Sequence, residues 1–251
     1  MEYSVYIYLI LSIVCLFIGF LGGFLGIALG AVRLPIIIIL GIEPIIAAST
    51  NLLAVIFGSF AGLIPAIKQN RVPVKSSLLI SIPSMIAAFL GGYFAFQIPE
   101  SALVIIMIFC LVVSGLVMTF YKLTEYDTNH LNMNSFRAIL VGIFISYFGG
   151  TVGLALGVLR VPAFVYFLRM NIKNAGGINL LVSILVGISA YAGHSFSSGI
   201  DYLLVGSIVS PTIIGMYLGS RFVKIANDNQ LRKALGITLI ILSIVIFVRE
   251  I

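Results

Sequence analysis

Residues 26–35 read GIALGAVRLP and residues 153–162 read GLALGVLRVP, so the same arginine precedes a proline by two positions at both places. At an offset of 127, eight of the fourteen residues from 22 to 35 are identical to those from 149 to 162. A shared apolar composition alone does not produce that density of identities. The pattern therefore predicts an internal duplication.

The duplication continues beyond these two stretches. After one inserted residue the offset becomes 128, which pairs Asn51 with Asn179 and Pro83 with Pro211. We predict a first transmembrane repeat over residues 1–121, a cytoplasmic linker over 122–135 and a second transmembrane repeat over 136–251. Repeats of this kind are typical of membrane transporters.

The composition indicates an integral membrane protein. Hydrophobic residues make up 61% of the 251 residues and charged residues only 9%, too few to cover the surface of a soluble protein. Two apolar runs, 34–41 and 161–168, are too short to span a bilayer alone. The predicted fold is an all-α polytopic membrane protein of two tandem repeats, each with about four long helices and one short broken or re-entrant helix. The long runs are 3–30, 44–67, 76–98, 101–121, 136–157, 175–194, 202–223 and 231–248.

The distribution of Lys and Arg distinguishes two topologies. If the short runs return to the side they left, the 14 basic residues divide 8 to 6. If each short run completes a crossing, 12 lie on one side and only Arg160 and Arg249 on the other. The second division fits the positive-inside rule, so we predict inverted repeats, with both termini outside and the basic loops cytoplasmic. The net charge of +6 then helps to orient the protein against an anionic leaflet. A nucleic-acid partner is not needed to explain it.

Arg33 and Arg160 are the strongest candidates for binding a ligand. An arginine at membrane depth costs several kcal/mol and persists where it pairs or lines a polar cavity. The acidic residues fall near run ends or in loops, so no carboxylate partner is evident. A guanidinium matches the geometry of an oxyanion, and two of them could clamp one small anion. Interfacial anchoring to lipid headgroups is the alternative.

The glycines of the duplicated motif have two interpretations. Gly26, Gly30, Gly153 and Gly157 fall where the long run meets the short one. A helix that unwinds there would turn backbone N–H groups toward an anion. Close packing between helices is the alternative, and both can hold.

Polar residues at the start of the next long helix are further candidates. Ser49, Thr50 and Asn51 could donate to a ligand oxygen, with helix capping as the alternative for Ser49. Asn179 is the second-repeat counterpart of Asn51. His194 ends a long run without a counterpart, which leaves open a proton-coupling role and a structural one.

The chain contains no motif of a known enzyme class, such as HExxH, CxxC or GxSxG. We predict no enzyme activity, no cofactor and no metal site. The predicted partners are a small anionic substrate, the lipid bilayer and a coupling ion, either a proton or sodium. No nucleotide-binding GxxxxGK[ST] motif is present, so the energy would come from the membrane potential or an ion gradient.

The duplicated pattern resembles the TauE/SafE family of sulfite and organosulfonate exporters over nearly the whole chain. The resemblance rests on residues 19–42, GFLGGFLGIALGAVRLPIIIILGI, and 47–72, AASTNLLAVIFGSFAGLIPAIKQNRV. It extends to 147–168, YFGGTVGLALGVLRVPAFVYFL, and 175–194, AGGINLLVSILVGISAYAGH. The resemblance implies secondary transport of small sulfur oxyanions or sulfonated acids, usually outward.

Alternatives remain open at the level of the sequence. The chain could be an importer or a carboxylate transporter of the same fold, or a membrane subunit that transports nothing. The residues do not identify the substrate, the coupling ion, the direction of transport or the oligomeric state.

Overall fold

The computed structural model describes residues 4–120, 135–154, 156–169, 171–194, 201–222 and 228–250. These residues form ten helices and no strand, which confirms the all-α fold. The helices are α1 (Val5–Leu25), α2 (Gly30–Ile39), α3 (Pro44–Lys68), α4 (Val74–Ala95), α5 (Glu100–Phe120), α6 (Ser135–Thr151), α7 (Gly157–Leu168), α8 (Ile172–His194), α9 (Tyr202–Arg221) and α10 (Asp228–Glu250).

Six helices, α1, α3, α4, α5, α8 and α9, are long and apolar enough to cross a membrane. The other two predicted long runs form α6, of 17 residues, and α10, of 23. Large apolar side chains such as Phe17, Phe109 and Phe144 are exposed, as expected on a lipid-facing surface. The chain is a multi-pass membrane protein. The linker predicted over 122–135 lies outside the described residues, apart from Ser135 at the start of α6.

The broken passages differ in their bounds from the prediction. The first long run was expected to reach residue 30 and the fifth to reach residue 157, but α1 ends at Leu25 and α6 at Thr151. The chain leaves each helix through a glycine in the left-handed region, with φ 69° at Gly26 and 70° at Gly153. The short helices α2 and α7 then begin four residues earlier than predicted.

The packing of the helices follows the same pattern in both halves of the chain. α1 packs on α9, and its counterpart α6 packs on α4. α3 also packs on α9, and its counterpart α8 packs on α4. The pairs α3–α8 and α5–α10 join the two halves. Each contact between two helices therefore recurs between their counterparts, which come five helices later or earlier in the chain. An approximate two-fold axis between the repeats requires this pattern.

Matching helices run in opposite directions. On α3 and α8, Gly62 faces Leu180 whereas Ile56 faces Gly187, so the residue numbers rise along one helix as they fall along the other. α5 and α10 are likewise antiparallel, since Gly115 lies against Ile240 and Thr119 lies against Gly236. These directions are consistent with the predicted inverted repeat.

Among the described side chains, the helix directions separate most of the basic residues from the acidic ones. α3 and α9 end, and α4 and α8 begin, at the same end of the bundle, which we call the basic end. Its described cations are Lys68, Arg71, Arg137, Arg169, Lys173, Arg221 and Lys233. The opposite end carries Glu43, Glu100, Asp201 and Arg249. Arg33 and Arg160, which the charge count assigned to opposite sides, belong to neither end because both side chains are buried inside the bundle.

Candidate functional site

The site is built around the two broken passages. At the end of α1 the N–H of Ile27 donates to the carbonyl of Gly22 at 2.9 Å, and at the end of α6 the N–H of Leu154 donates to Gly149 at 2.7 Å. A Cβ on Gly26 would lie 2.8 Å from the Cα of Gly176. Glycine is therefore required there for its left-handed φ and for the close approach of α8.

Gly153 occupies the equivalent position in the second repeat. A Cβ on it would lie 2.4 Å from the Cβ of Ala48 on α3. Each break is thus pressed against a long helix of the other repeat. A helix break and close packing between helices therefore occur together at these glycines, and the turning of backbone N–H groups toward an anion stays a prediction.

Asn51 and Asn179 tie each break to the other repeat. The Nδ2 of Asn51 on α3 donates to the carbonyl of Gly153 at 2.8 Å, and the Nδ2 of Asn179 on α8 donates to the carbonyl of Gly26 at 3.3 Å. Both asparagines are fully buried. A helix break leaves carbonyls without helical partners, and these amides satisfy one carbonyl at each break.

The first residues of the short helices pack on the same asparagines. A Cβ on Gly30 would lie 3.0 Å from the Nδ2 of Asn51, and one on Gly157 would lie 2.7 Å from the Nδ2 of Asn179. The predicted glycines and asparagines of each repeat are therefore neighbours. A side chain at Gly30 or Gly157 would displace the amide that holds the opposite break.

Arg33 projects from α2 into the interior between α3 and α9. Its side chain is only 2% exposed. Nε donates to Oδ1 of Asn51 at 2.9 Å, and Nη1 donates to Oγ1 of Thr212 at 2.7 Å. Among the described residues no carboxylate pairs with Arg33, so both of these acceptors are neutral. The buried positive charge is solvated by hydrogen bonds and remains uncompensated.

Arg160 lies at the matching position on α7 and is fully buried. Its Nη2 donates to Oγ of Ser183 on α8 at 3.2 Å. The groups equivalent to the two acceptors of Arg33 are Oδ1 of Asn179 and Oγ of Ser84. Within the described parts of the chain, neither of these buried atoms has a hydrogen-bond partner. The two repeats therefore share one sequence pattern but differ in their hydrogen bonds.

The helix-capping alternative for Ser49 was wrong. α3 begins at Pro44, so Ser49 lies inside the helix, where its Oγ donates to the carbonyl of Ile45 at 2.9 Å. Thr50 is buried on the same helix. The proline sets the helix start because its fixed φ suits the first helical position.

Three buried polar residues near the site were not singled out from the sequence. Thr212 and Ser183 accept from the two arginines, and Ser59 lines a narrow cavity beside Arg33. For Thr212 the sequence did contain a signal, because the adjacent Pro211 aligns with Pro83 in the duplication. Nothing in the sequence distinguishes Ser59 or Ser183 from other helical serines.

Arg71, between α3 and α4, is a third buried arginine that the sequence indicated only as a loop cation. Its Nη2 donates to the carbonyl and Oγ of Ser220 at 3.2 and 3.1 Å. Burial lowers the pKa of the Arg71 guanidinium from its ordinary value. The side chain holds the last turn of α9 against the loop after α3.

His194 at the end of α8 is buried, and its Nε2 lies 2.7 Å from the carbonyl of Gly150. Because a carbonyl oxygen can only accept, Nε2 carries the proton. His194 thereby contacts the last turn of α6, close to the second break. This contact fits the structural role and leaves proton coupling untested.

A larger cavity of about 480 Å³ lies between α5, α6 and α7, and neither Arg33 nor Arg160 is among its lining residues. Its described lining residues are uncharged and mostly apolar, and Phe109 and Phe144 on its rim are exposed. Such a surface suits hydrocarbon and offers an anion no hydrogen bonds.

Comparison with known proteins identifies the family. Residues 11–246 match the family described as "Sulfite exporter TauE/SafE". The chain belongs to the TauE/SafE family. Similar TauE/SafE-type relatives include "Probable membrane transporter protein YdhB" of Bacillus subtilis (strain 168), 22% identical over 92% of this chain and 96% of its own length.

Another relative is a "Probable membrane transporter protein" of Xylella fastidiosa (strain 9a5c), 27% identical over 92% of this chain and 90% of its own length. No solved structure matches the chain significantly. Membership of the TauE/SafE family and the names of these relatives indicate a membrane transporter. The relatives' names state neither a substrate nor a direction.

Proposed function

We propose that this protein is a secondary transporter that exports a small anion, such as sulfite, another sulfur oxyanion or an organosulfonate, by alternating access. The anion binds where Arg33 and Arg160 supply positive charge near the two helix breaks. The relatives' names support transport, and the family description supports sulfite as the substrate class.

The observation that carries the proposal is the environment of Arg33. Burying a cation that has only neutral partners costs free energy of folding. A ligand that carries a negative charge would compensate this cost when it binds. Asn51 and Thr212 hold the guanidinium in place through Nε and Nη1. A guanidinium held in this way is already oriented for an oxyanion, so binding orders few additional groups.

Alternating access is supported by the difference between the repeats. Arg33 donates to both of its polar acceptors, whereas the equivalent acceptors on Asn179 and Ser84 lack partners within the described residues. In a protein with an inverted repeat, exchange of the two conformations between the halves opens the site to the other side.

The charge distribution supports an orientation of the protein, and the membrane potential supports export. We place the basic end in the cytoplasm and both termini outside, since cytoplasmic loops are enriched in Lys and Arg. A membrane potential that is negative inside favours the exit of an anion by about 2.3 kcal/mol per charge for each 100 mV. A proton or sodium gradient could add to this driving force.

Flux in proteoliposomes tests the proposal. Sulfite, sulfoacetate and a carboxylate of similar size are loaded separately, and efflux is followed under an imposed potential. We expect saturable efflux of the sulfur anions. Arg33→Gln and Arg160→Gln should lower kcat/KM by roughly tenfold to a hundredfold, since each removes a charge-assisted hydrogen-bond donor.

Arg221→Gln is the matched control, because Arg221 is an exposed arginine at the end of α9. It should leave flux unchanged. Wild-type flux in both Arg33→Gln and Arg160→Gln would exclude the arginines as the anion site. Absence of flux for every anion would exclude anion transport itself.

A further inference from the structure

A narrow cavity beside Arg33 contains polar groups that the hydrogen bonds of the fold do not use. It lies between α1, α3 and α9, and Gly19, Gly58, Ser59, Arg33 and Thr212 are among its lining residues. A Cβ on Gly19 would lie 2.9 Å from the carbonyl oxygen of Thr212, and one on Gly58 would lie 2.7 Å from its Cγ2, so both glycines allow the close approach of α9. The cavity is too narrow to hold a water molecule.

The hydroxyl of Ser59 is the first unused group. Ser59 is fully buried, and its Oγ has no hydrogen-bond partner among the described residues. Other buried helical serines, such as Ser81 at 2.7 Å and Ser114 at 2.6 Å, donate to the carbonyl four residues earlier, whereas Ser84 and Ser146, like Ser59, have no partner among the described residues. Ser59 lacks this local bond, so the fold bears the cost of an unsatisfied polar group at this position.

The third nitrogen of Arg33 is the second unused group. Nε and Nη1 are occupied by Asn51 and Thr212, which leaves Nη2 without a partner in the described part of the chain. Nη2 and the Ser59 hydroxyl are both donors, and both residues line the same cavity. Two unused donors, one of them charged, match two oxygens of a single oxyanion.

Thr212 contributes to the position of Arg33. Its Oγ1 donates to the carbonyl of Ile208 at 2.7 Å, so its proton is committed to the helix and a lone pair faces Nη1 of Arg33. Thr212 therefore orients the guanidinium and has no proton left for the anion. Among the side chains that line the cavity, Arg33 and Ser59 then have free donors.

We infer that this cavity is an oxyanion-binding site, in which the Ser59 hydroxyl and Nη2 of Arg33 each donate to an oxygen of the transported anion. The inference rests on the proposed function and adds Ser59 to the residues that recognise the substrate. The position equivalent to Ser59 in the second repeat is Gly187, so this hydroxyl belongs to the first repeat alone. The cavity would have to widen when the anion enters.

The test compares Ser59→Ala with Ser114→Ala in purified protein. Binding of radiolabelled sulfite is measured in detergent, together with thermal unfolding in the absence of anion. Ser59→Ala should weaken sulfite binding by at least about tenfold, the loss of one hydrogen bond to a charged group. It should not lower the unfolding temperature, because it removes an unsatisfied hydroxyl.

Ser114→Ala is the matched control for both measurements. It removes a hydroxyl that is satisfied on α5, so it should bind sulfite like the wild type and unfold at the same or a lower temperature. Ser59→Thr, which keeps the hydroxyl, should bind more tightly than Ser59→Ala.

The outcomes separate the two proposals. If wild-type protein binds sulfite and Ser59→Ala binds it equally well, the Ser59 site is wrong and anion transport still stands. If Ser59→Ala unfolds well below the wild type, the hydroxyl is structural and the site is also wrong. If the wild type neither binds nor transports a sulfur anion, the proposed function fails together with the site.

Discussion

Asn51 and Asn179 occupy equivalent positions, yet we expect their removal to have unequal effects on stability. Asn51 makes two hydrogen bonds, to Gly153 at 2.8 Å and from Arg33 at 2.9 Å. Asn179 makes one, to Gly26 at 3.3 Å, and its Oδ1 has no partner among the described residues. Asn51→Ala and Asn179→Ala delete the same atoms from fully buried positions, so the packing costs largely cancel in the comparison.

The difference follows from the hydrogen bonds. Asn51→Ala removes a neutral bond worth about 1 kcal/mol and a bond to a charged group worth about 1.5–3 kcal/mol. Asn179→Ala removes one long neutral bond worth at most about 1 kcal/mol. We expect Asn51→Ala to lower the free energy of unfolding by about 1.5–3 kcal/mol more than Asn179→Ala.

Denaturant titration in detergent micelles measures this difference. The chain has no tryptophan, so far-UV circular dichroism is the appropriate signal. Arg33→Met combined with Asn51→Ala completes a double-mutant cycle, in which the cost of Asn51→Ala should fall once Arg33 is absent. Equal losses for the two asparagines, or no coupling between Arg33 and Asn51, would refute the assignment of their hydrogen bonds.

Two further predictions concern the breaks and the topology. Gly26→Ala and Gly153→Ala should each destabilise the protein by more than about 1 kcal/mol, because an L-residue is strained in the left-handed region, whereas Gly206→Ala, which meets nothing within 4 Å, should be neutral or stabilising. Denaturant titration checks both, and a neutral Gly26→Ala would contradict the tight approach to α8. In a background lacking Cys15 and Cys110, Gln97→Cys should react with a membrane-impermeant thiol reagent added outside intact cells. Lys68→Cys should react only after the cells are opened, and the reverse result would invert the proposed orientation.

Much of the fold could be predicted from the sequence because the bilayer imposes a strong constraint on composition. A membrane-spanning helix must be apolar over about 20 residues, so the six spans are visible as apolar runs. The short helices could be predicted because their apolar runs are too short to span. The residues at which the short helices start could not be predicted. Gly26 and Gly153 end the preceding helices through a left-handed backbone conformation, which cannot be read from the composition.

The sequence by itself determined the duplication, the all-α membrane class and the family, since each rests on residue identity and on hydropathy along the chain. It also favoured membrane depth for Arg33 and Arg160 over anchoring at the lipid headgroups, because each lies beside a short apolar run that has to complete a crossing. The tertiary structure alone decided which groups meet: Asn51 with Gly153 is a contact across 102 residues, and Arg33 with Thr212 one across 179. Such contacts depend on how the helices of the two repeats are packed, and a one-dimensional pattern of apolar residues fixes which face is buried but not which partner it meets.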